Sequence, residues 1–536
     1  MASEQDLKLP LRLLVDKERN RVVVAEASGD LIDILFSFLT LPLGTITRLV
    51  SKNQGYDEAE NIGCINNLYQ SVENSSAEVF WNHICKRMLL CPRNSCEALC
   101  QKLKLKVDDT EPMKYFMCSN RCRRGGDWFL STFAEASCSC GRLMDKEMKL
   151  HGDSNEGTHG DGVFVKGKTM FLIFDDLKVL QSSPANSVHQ LVQLGYKNFH
   201  RMTEKSLNVG LKEILDLLKQ ALISKSPLSD VFLGNGESKR VCTFSPKLRP
   251  QNQIWINYNS SINLKVTVRK SKKTILYAES EGDFVDFLFS FLTTPLGCIL
   301  KLLDGNFSLG CMNNLFKSVK GLNPSWFTGS SGTPLLNLQV APQFGFKRQP
   351  TQLCEKDTPC YWYGKGVVKN SICYTIGNGV ISKEHSLIHH PVAMKLFEPR
   401  SPDGTRESSV GFVRRPALFV VWDDLQVTPL TNTCTISFLR KLNVPLDDLE
   451  EHELRIGETE ALNLLGASLT CKAALTECLI LFLQKLNVPL DDLEEHELRI
   501  GESEALNLVG ASLTCKAALT EGLFYLLKKL KLDPFP

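Results

Sequence analysis

Four cysteines in two close pairs, Cys118-x3-Cys122 and Cys138-Ser139-Cys140-Gly141, are the residues of this sequence best suited to chemistry. Two pairs of thiolates can close a tetrahedral shell around zinc, and a short segment poor in core-forming residues gains folding energy from such a metal. Cys118, Cys122, Cys138 and Cys140 are therefore the candidate metal ligands, and the cofactor they suit is a structural zinc. Cys85, Cys91, Cys96 and Cys100 lie just upstream and could replace one of the four. The competing reading is a set of ordinary thiols, because C-x3-C with C-x-C departs from the usual two-residue spacing. Further along, Cys354, Cys360 and Cys373 repeat the theme without a partner for Cys140, and a site there would need His385 or His389. Surface histidines are the simpler reading.

Basic residues gather around the first cysteine set: Lys114, Arg121, Arg123, Arg124, Arg142, Lys146 and Lys149, with Tyr115, Phe116 and Trp128 between them. Such interleaving can contact phosphate and stack bases, and a solvated basic face is the plainer alternative. Residues 162–169 satisfy the phosphate-loop pattern G-x4-G-K-[ST]. Here a polar loop precedes and an apolar strand follows, whereas a phosphate loop joins a strand to a helix, so a turn is expected. The carboxylate pairs Asp175/Asp176 and Asp423/Asp424 close two similar strands. Neighbours on a strand point to opposite faces, so strand termination or helix capping fits them better than acid–base catalysis. No nucleophile elbow, zincin helix or dinucleotide fingerprint accompanies them, and the expectation is a chain without catalytic residues.

The elements that must position these residues occur twice. Ala25-Glu26-Ala27-Ser28-Gly29-Asp30-Leu31-Ile32-Asp33 returns as Ala278-Glu279-Ser280-Glu281-Gly282-Asp283-Phe284-Val285-Asp286, and both run on into an apolar helix ended by Pro42 or Pro295. Gly63-Cys64-Ile65-Asn66-Asn67-Leu68 returns as Gly310-Cys311-Met312-Asn313-Asn314-Leu315, each a short helix. The strands ending in Asp-Asp-Leu and a later helical segment repeat in the same order. A repeat of domain length predicts two equivalent bodies and not a solenoid. Residues 441–477 also recur almost letter for letter as 485–521, differing at Thr459/Ser503 and Leu465/Val509.

The fold class expected is α+β: two tandem homologous domains, each a small, mainly antiparallel sheet with packed helices, plus a duplicated C-terminal helical segment. The boundaries read as 1–235 for the first domain, 236–260 for a linker, 261–484 for the second domain and 485–536 for the extra copy. A chain of 536 residues exceeds what one core usually organises, in keeping with two domains. Lysine and arginine total 62 against 60 acidic residues, so no global field draws the chain to nucleic acid or anionic lipid. A polar, acidic start and 19 cysteines point to a cytoplasmic or nuclear protein with reduced thiols. The longest apolar runs, 34–48 and 287–300, are short for a membrane span and read as buried helices.

The Gly-Asp-Phe-Val-Asp-Phe-Leu-Phe-Ser-Phe-Leu-Thr-Thr-Pro-Leu-Gly helix, the Asp-Asp-Leu strands, the Cys-x-Asn-Asn-Leu segments and the Cys-Ser-Cys-Gly loop together resemble a plant family catalogued as domain of unknown function 674. The resemblance covers nearly the whole chain. It implies tandem copies of one domain and a plant source, and it carries no activity. The expected role is a protein-interaction module with an unidentified protein partner; the alternative is a zinc-stabilised nucleic-acid-binding protein.

Overall fold

The structure is a computed structural model that describes residues 7–52, 62–124, 127–151, 162–196, 200–235, 242–246, 261–304, 307–328, 334–346, 351, 353, 355–368, 371–373, 379–405 and 410–485. The first half opens with strands β1 (Leu9–Asp16) and β2 (Arg21–Ser28), followed by helices α1 (Gly29–Ser37), α2 (Leu43–Lys52), α3 (Ile65–Asn74), α4 (His83–Leu90) and α5 (Glu97–Cys100). Four short strands come next: β3 (Tyr115–Met117), β4 (Arg123–Arg124), β5 (Asp127–Leu130) and β6 (Lys146–Met148). The half closes with β7 (Met170–Phe174), β8 (Val179–Gln181), α6 (Pro184–Gln193), β9 (Met202–Val209), α7 (Leu211–Ile223) and α8 (Pro227–Leu233).

The rest of the chain follows a similar order, without counterparts of α4 and α5 among the described residues. After β10 (Cys242–Phe244) come β11 (Ile262–Arg269), β12 (Thr274–Glu281), α9 (Gly282–Thr293), α10 (Leu296–Leu302), β13 (Phe307–Leu309) and α11 (Met312–Gly321). The strands β14 (Tyr361–Val368), β15 (Ser371–Cys373), β16 (Val380–Ser382) and β17 (Ile388–Leu396) precede β18 (Leu418–Trp422), β19 (Val427–Pro429), α12 (Asn432–Lys441), β20 (Leu449–Ile456), α13 (Glu458–Thr470) and α14 (Ala474–Lys485). Residues 486–536, which hold the extra copy, lie outside the described residues.

Two five-stranded sheets follow the same path, β8-β7-β2-β1-β9 and β19-β18-β12-β11-β20. Their hairpins even slip register at matching places, between Leu14 and Val15 and between Thr267 and Val268. Alternation of buried and exposed residues along β1 and β11 turns one face of each sheet to the core. Onto those faces pack α1 and α9, whose side chains are buried almost all round, as a helix lacking a polar stripe must be. The two helices end head to head at Pro42 and Pro295: Leu43 N–H donates to Thr294 C=O at 3.1 Å and Leu296 N–H to Leu41 C=O at 3.0 Å. No helix among the described residues is long and apolar enough to cross a membrane.

The halves are interlocked, because each lends its Gly-Cys-x-x-Asn helix to the other. Cys64 N–H donates to Ser468 C=O at 2.7 Å, the Asn67 amide to Asp424 C=O at 3.0 Å, and Ser71 Oγ accepts Val427 N–H at 2.9 Å. The mirror set joins Cys311 N–H to Ala221 C=O at 2.8 Å, the Asn314 amide to Asp176 C=O at 3.0 Å, and Val179 N–H to Ser318 Oγ at 2.9 Å. Gly63 and Gly310 stand at φ 50° and 49°, and a Cβ would lie 2.4 Å and 2.3 Å from the receiving carbonyl, so both the turn and the close approach demand glycine. One main hydrophobic core therefore runs through both halves. Within 236–260, read above as a linker, residues 242–244 form β10, which pairs with β13; 236–241 and 247–260 lie outside the described residues.

Candidate metal centre

The short strands of both halves merge into one lobe. β17 runs parallel to β5, pairing Met394 with Trp128, so a single sheet of order β15-β14-β17-β5-β4 carries strands from both halves. The lobe has its own small core, in which Tyr115, Met117, Leu130 and Met148 meet Tyr361, Ile381 and Met394. Tyr115 and Tyr361 share a hydroxyl contact of 3.2 Å.

All four predicted cysteines converge at one end of this lobe. Cys118 leaves β3, Cys122 leads into β4, and Cys138 and Cys140 lie on the turn ahead of β6. Each pair sits on a tight turn: Arg121 N–H donates to Cys118 C=O at 2.9 Å and Gly141 N–H to Cys138 C=O at 3.0 Å. Arg121 and Gly141 close these turns at φ 49° and 82°. Each turn also aims an amide at a sulfur two residues back, Asn120 at Cys118 and Arg142 at Cys140. The four Sγ atoms lie within 4.8 Å of one another. Cys118 is 3.8 Å from Cys122 and 3.6 Å from Cys140. A tetrahedron of zinc–sulfur bonds near 2.3 Å has edges of about 3.8 Å, whereas a disulfide closes to about 2.05 Å. The donor set, its spacing and the amides aimed at sulfur therefore fit a tetrahedral metal.

The electrostatics agree with a shared site. The Arg142 amide, with the neighbouring thiols, draws the Cys140 thiol down to about 7. Cys122, crowded first by Cys140, is pushed up to about 12, and burial raises Cys118. As free thiols Cys118, Cys122 and Cys140 oppose one another's ionisation, and a divalent ion would relieve that opposition.

The upstream cysteines take no part. Cys85 and Cys100 are buried in the main core with thiols pushed up to about 12, and Cys100 contacts Thr40 Oγ1 at 3.5 Å. In the second half, Cys360 is exposed, His385 stands edge-on to Trp362 and His389 lies beside His390. Cys354 and the Cys373 side chain lie outside what the structure describes. Among the described residues, the first set is the group placed to hold a metal.

The two other motifs have structural work. The carboxylate of Asp33, from α1, accepts Val163 N–H at 2.6 Å and Phe164 and Val165 N–H at 2.8 Å each, so the amides of the phosphate-loop match already hold an anion from the protein itself. Asp286 of α9 does the same for Phe412 at 2.8 Å and Val413 at 3.0 Å, and also binds Arg415. Burial nonetheless raises Asp33 to about 6 and Asp286 to about 7. The sequence reading missed this pair; the signal was an acid retained in an otherwise apolar helix, Gly-Asp-x-x-Asp, in both copies. Asp175 accepts Ser229 N–H at 2.9 Å and Asp423 accepts Thr476 N–H at 2.8 Å, each holding the first turn of its half's last helix.

The chain matches the family described as Protein of unknown function (DUF674) over residues 5–459. It belongs to that family. The DUF674 match takes in both five-stranded sheets and the cysteine lobe. No curated protein and no solved structure matches the chain.

Proposed function

We propose that this chain is a non-catalytic protein-interaction module, two copies of one unit with a further copy of the last segment, whose lobe is pinned by a structural zinc on Cys118, Cys122, Cys138 and Cys140. The observation that carries the reading is the convergence of four thiols at tetrahedral spacing on a lobe made from both halves. Such an ion would tie the two cysteine turns to each other beside the parallel β5/β17 seam and set the exposed surface around Arg121, Arg123 and Arg142. What supports a binding role over catalysis is the commitment of Asp33, Asp286, Asp175 and Asp423 to main-chain amides. Purified chain is expected to hold about one zinc, as a closed four-thiolate shell does, and Cys118→Ser and Cys140→Ser to lose it and melt earlier. Zinc-free wild type with an unchanged melting temperature would remove the reading.

A zinc-stabilised nucleic-acid binder is the second reading, favoured by the basic rim. Against it, Trp128 is stacked on Tyr363 at 6.0 Å with Arg123 5.1 Å over its ring, which leaves that aromatic little surface for a base. Salt-sensitive binding of single-stranded RNA that disappears on substituting Arg121, Arg123 and Arg124 would reverse the preference.

A further inference from the structure

The outer face of the second sheet carries an open groove of about 690 Å³ between β11, β12, β18 and β20. Leu418 and Leu430 give it an apolar strip, and Leu418 is 55% exposed. Glu279, Glu281, Asp283 and Glu453 line it against two cations, Lys265 and Arg455. Lys265 is ion-paired with Glu451 at 2.8 Å and Asp283 with Arg415 at 2.7 Å.

The first half provides an internal control. Strand register equates Glu281 with Ser28, because each lies opposite the first residue of its neighbouring strand, Leu418 or Met170. It equates Glu453 with Ser206, opposite Lys265 and Arg12. Leu430 corresponds to Ser182, since these two donate to Leu418 and Met170 C=O respectively. Thus only the second sheet has exchanged three serines for two glutamates and a leucine at this place. That sheet belongs to the half from which the C-terminal tail departs.

The tail has complementary chemistry. After residue 521 the extra copy diverges from its template, and Gln484 and Asn487 are answered by Lys528 and Lys531. The stretch Leu523-Phe524-Tyr525-Leu526-Leu527-Lys528-Lys529-Leu530-Lys531-Leu532 has leucines at helical spacing, three lysines and no acid. At about 3.3 Å per extended residue, the chain between Lys485 and Leu523 is long enough to cross the sheet. We propose that residues 523–532 dock in cis into the groove on the second sheet, with the leucines on Leu418 and Leu430 and the lysines on Glu279, Glu281 and Glu453.

Zero-length carbodiimide coupling of the full chain, followed by peptide mapping, tests this. Lys528, Lys529 or Lys531 is expected to couple to Glu279, Glu281 or Glu453 in the monomer band. The full-length Glu279→Lys/Glu281→Lys/Glu453→Lys variant, with its fold checked by circular dichroism, should lose that docking about tenfold or more. Adding Lys528→Glu/Lys529→Glu/Lys531→Glu to it should restore coupling with the polarity reversed. Absence of these crosslinks in wild type, their confinement to a dimer band, or failure of the double reversal to restore coupling would each overturn the proposal.

Discussion

At the scale of single residues, the most telling groups are two buried acids. Asp33 and Asp286 sit in cradles of main-chain amides that would suit a bound phosphate, and each cradle segment is also paired with the opposite half: Lys166 N–H reaches Trp326 C=O and Trp81 N–H reaches Phe412 C=O, both at 2.9 Å. Burial raises Asp286 from 3.8 to about 7, so between those values the folded chain binds protons that the unfolded chain has released. This contribution to stability is therefore full below about pH 4 and lost as pH rises through about 7. Asp286→Asn cannot titrate. Denaturation midpoints at pH 5 and pH 8 should show the stability gap between wild type and variant narrowing by roughly 1–3 kcal/mol toward alkaline pH. A gap of equal size at both values would contradict the assignment.

At the scale of elements, the Gly-Cys-x-x-Asn-x-x-x-Ser helices α3 and α11 are the fasteners. Ser318→Ala leaves the buried Val179 N–H without an acceptor, and the expected cost is about 1–3 kcal/mol. Gly310→Ala should cost more, because a Cβ meets the Ala221 carbonyl at 2.3 Å. Thermal melts of the two variants give the order, and a milder effect at Gly310 would argue against the docking described. The helices themselves were legible in the sequence, as were the apolar helices and the four cysteines, because periodicity and local spacing report them. The destination of α3 and α11 was not. A pattern of buried positions says that a face is covered and is silent on which half covers it. The lobe was hidden for the same reason: β5 and β17 share no local signal, and their parallel pairing comes from contacts across the whole chain.

At the scale of the molecule, the exchange makes each sheet depend on a helix encoded far away. Ser318 meets Val179 across 139 residues of sequence, and Ser71 meets Val427 across 356. During synthesis the first sheet must therefore wait for α11. At about 5–20 residues per second that interval is roughly 7–28 s, during which an apolar surface stands open beside β8. Ribosome-stalled chains ending before Met312 should be cut readily by protease in β7 and β8, and chains extended well past Gly321 should resist. Translation speed between those points, and the availability of a chaperone to shield that surface, thus become determinants of how much of the newly made protein survives.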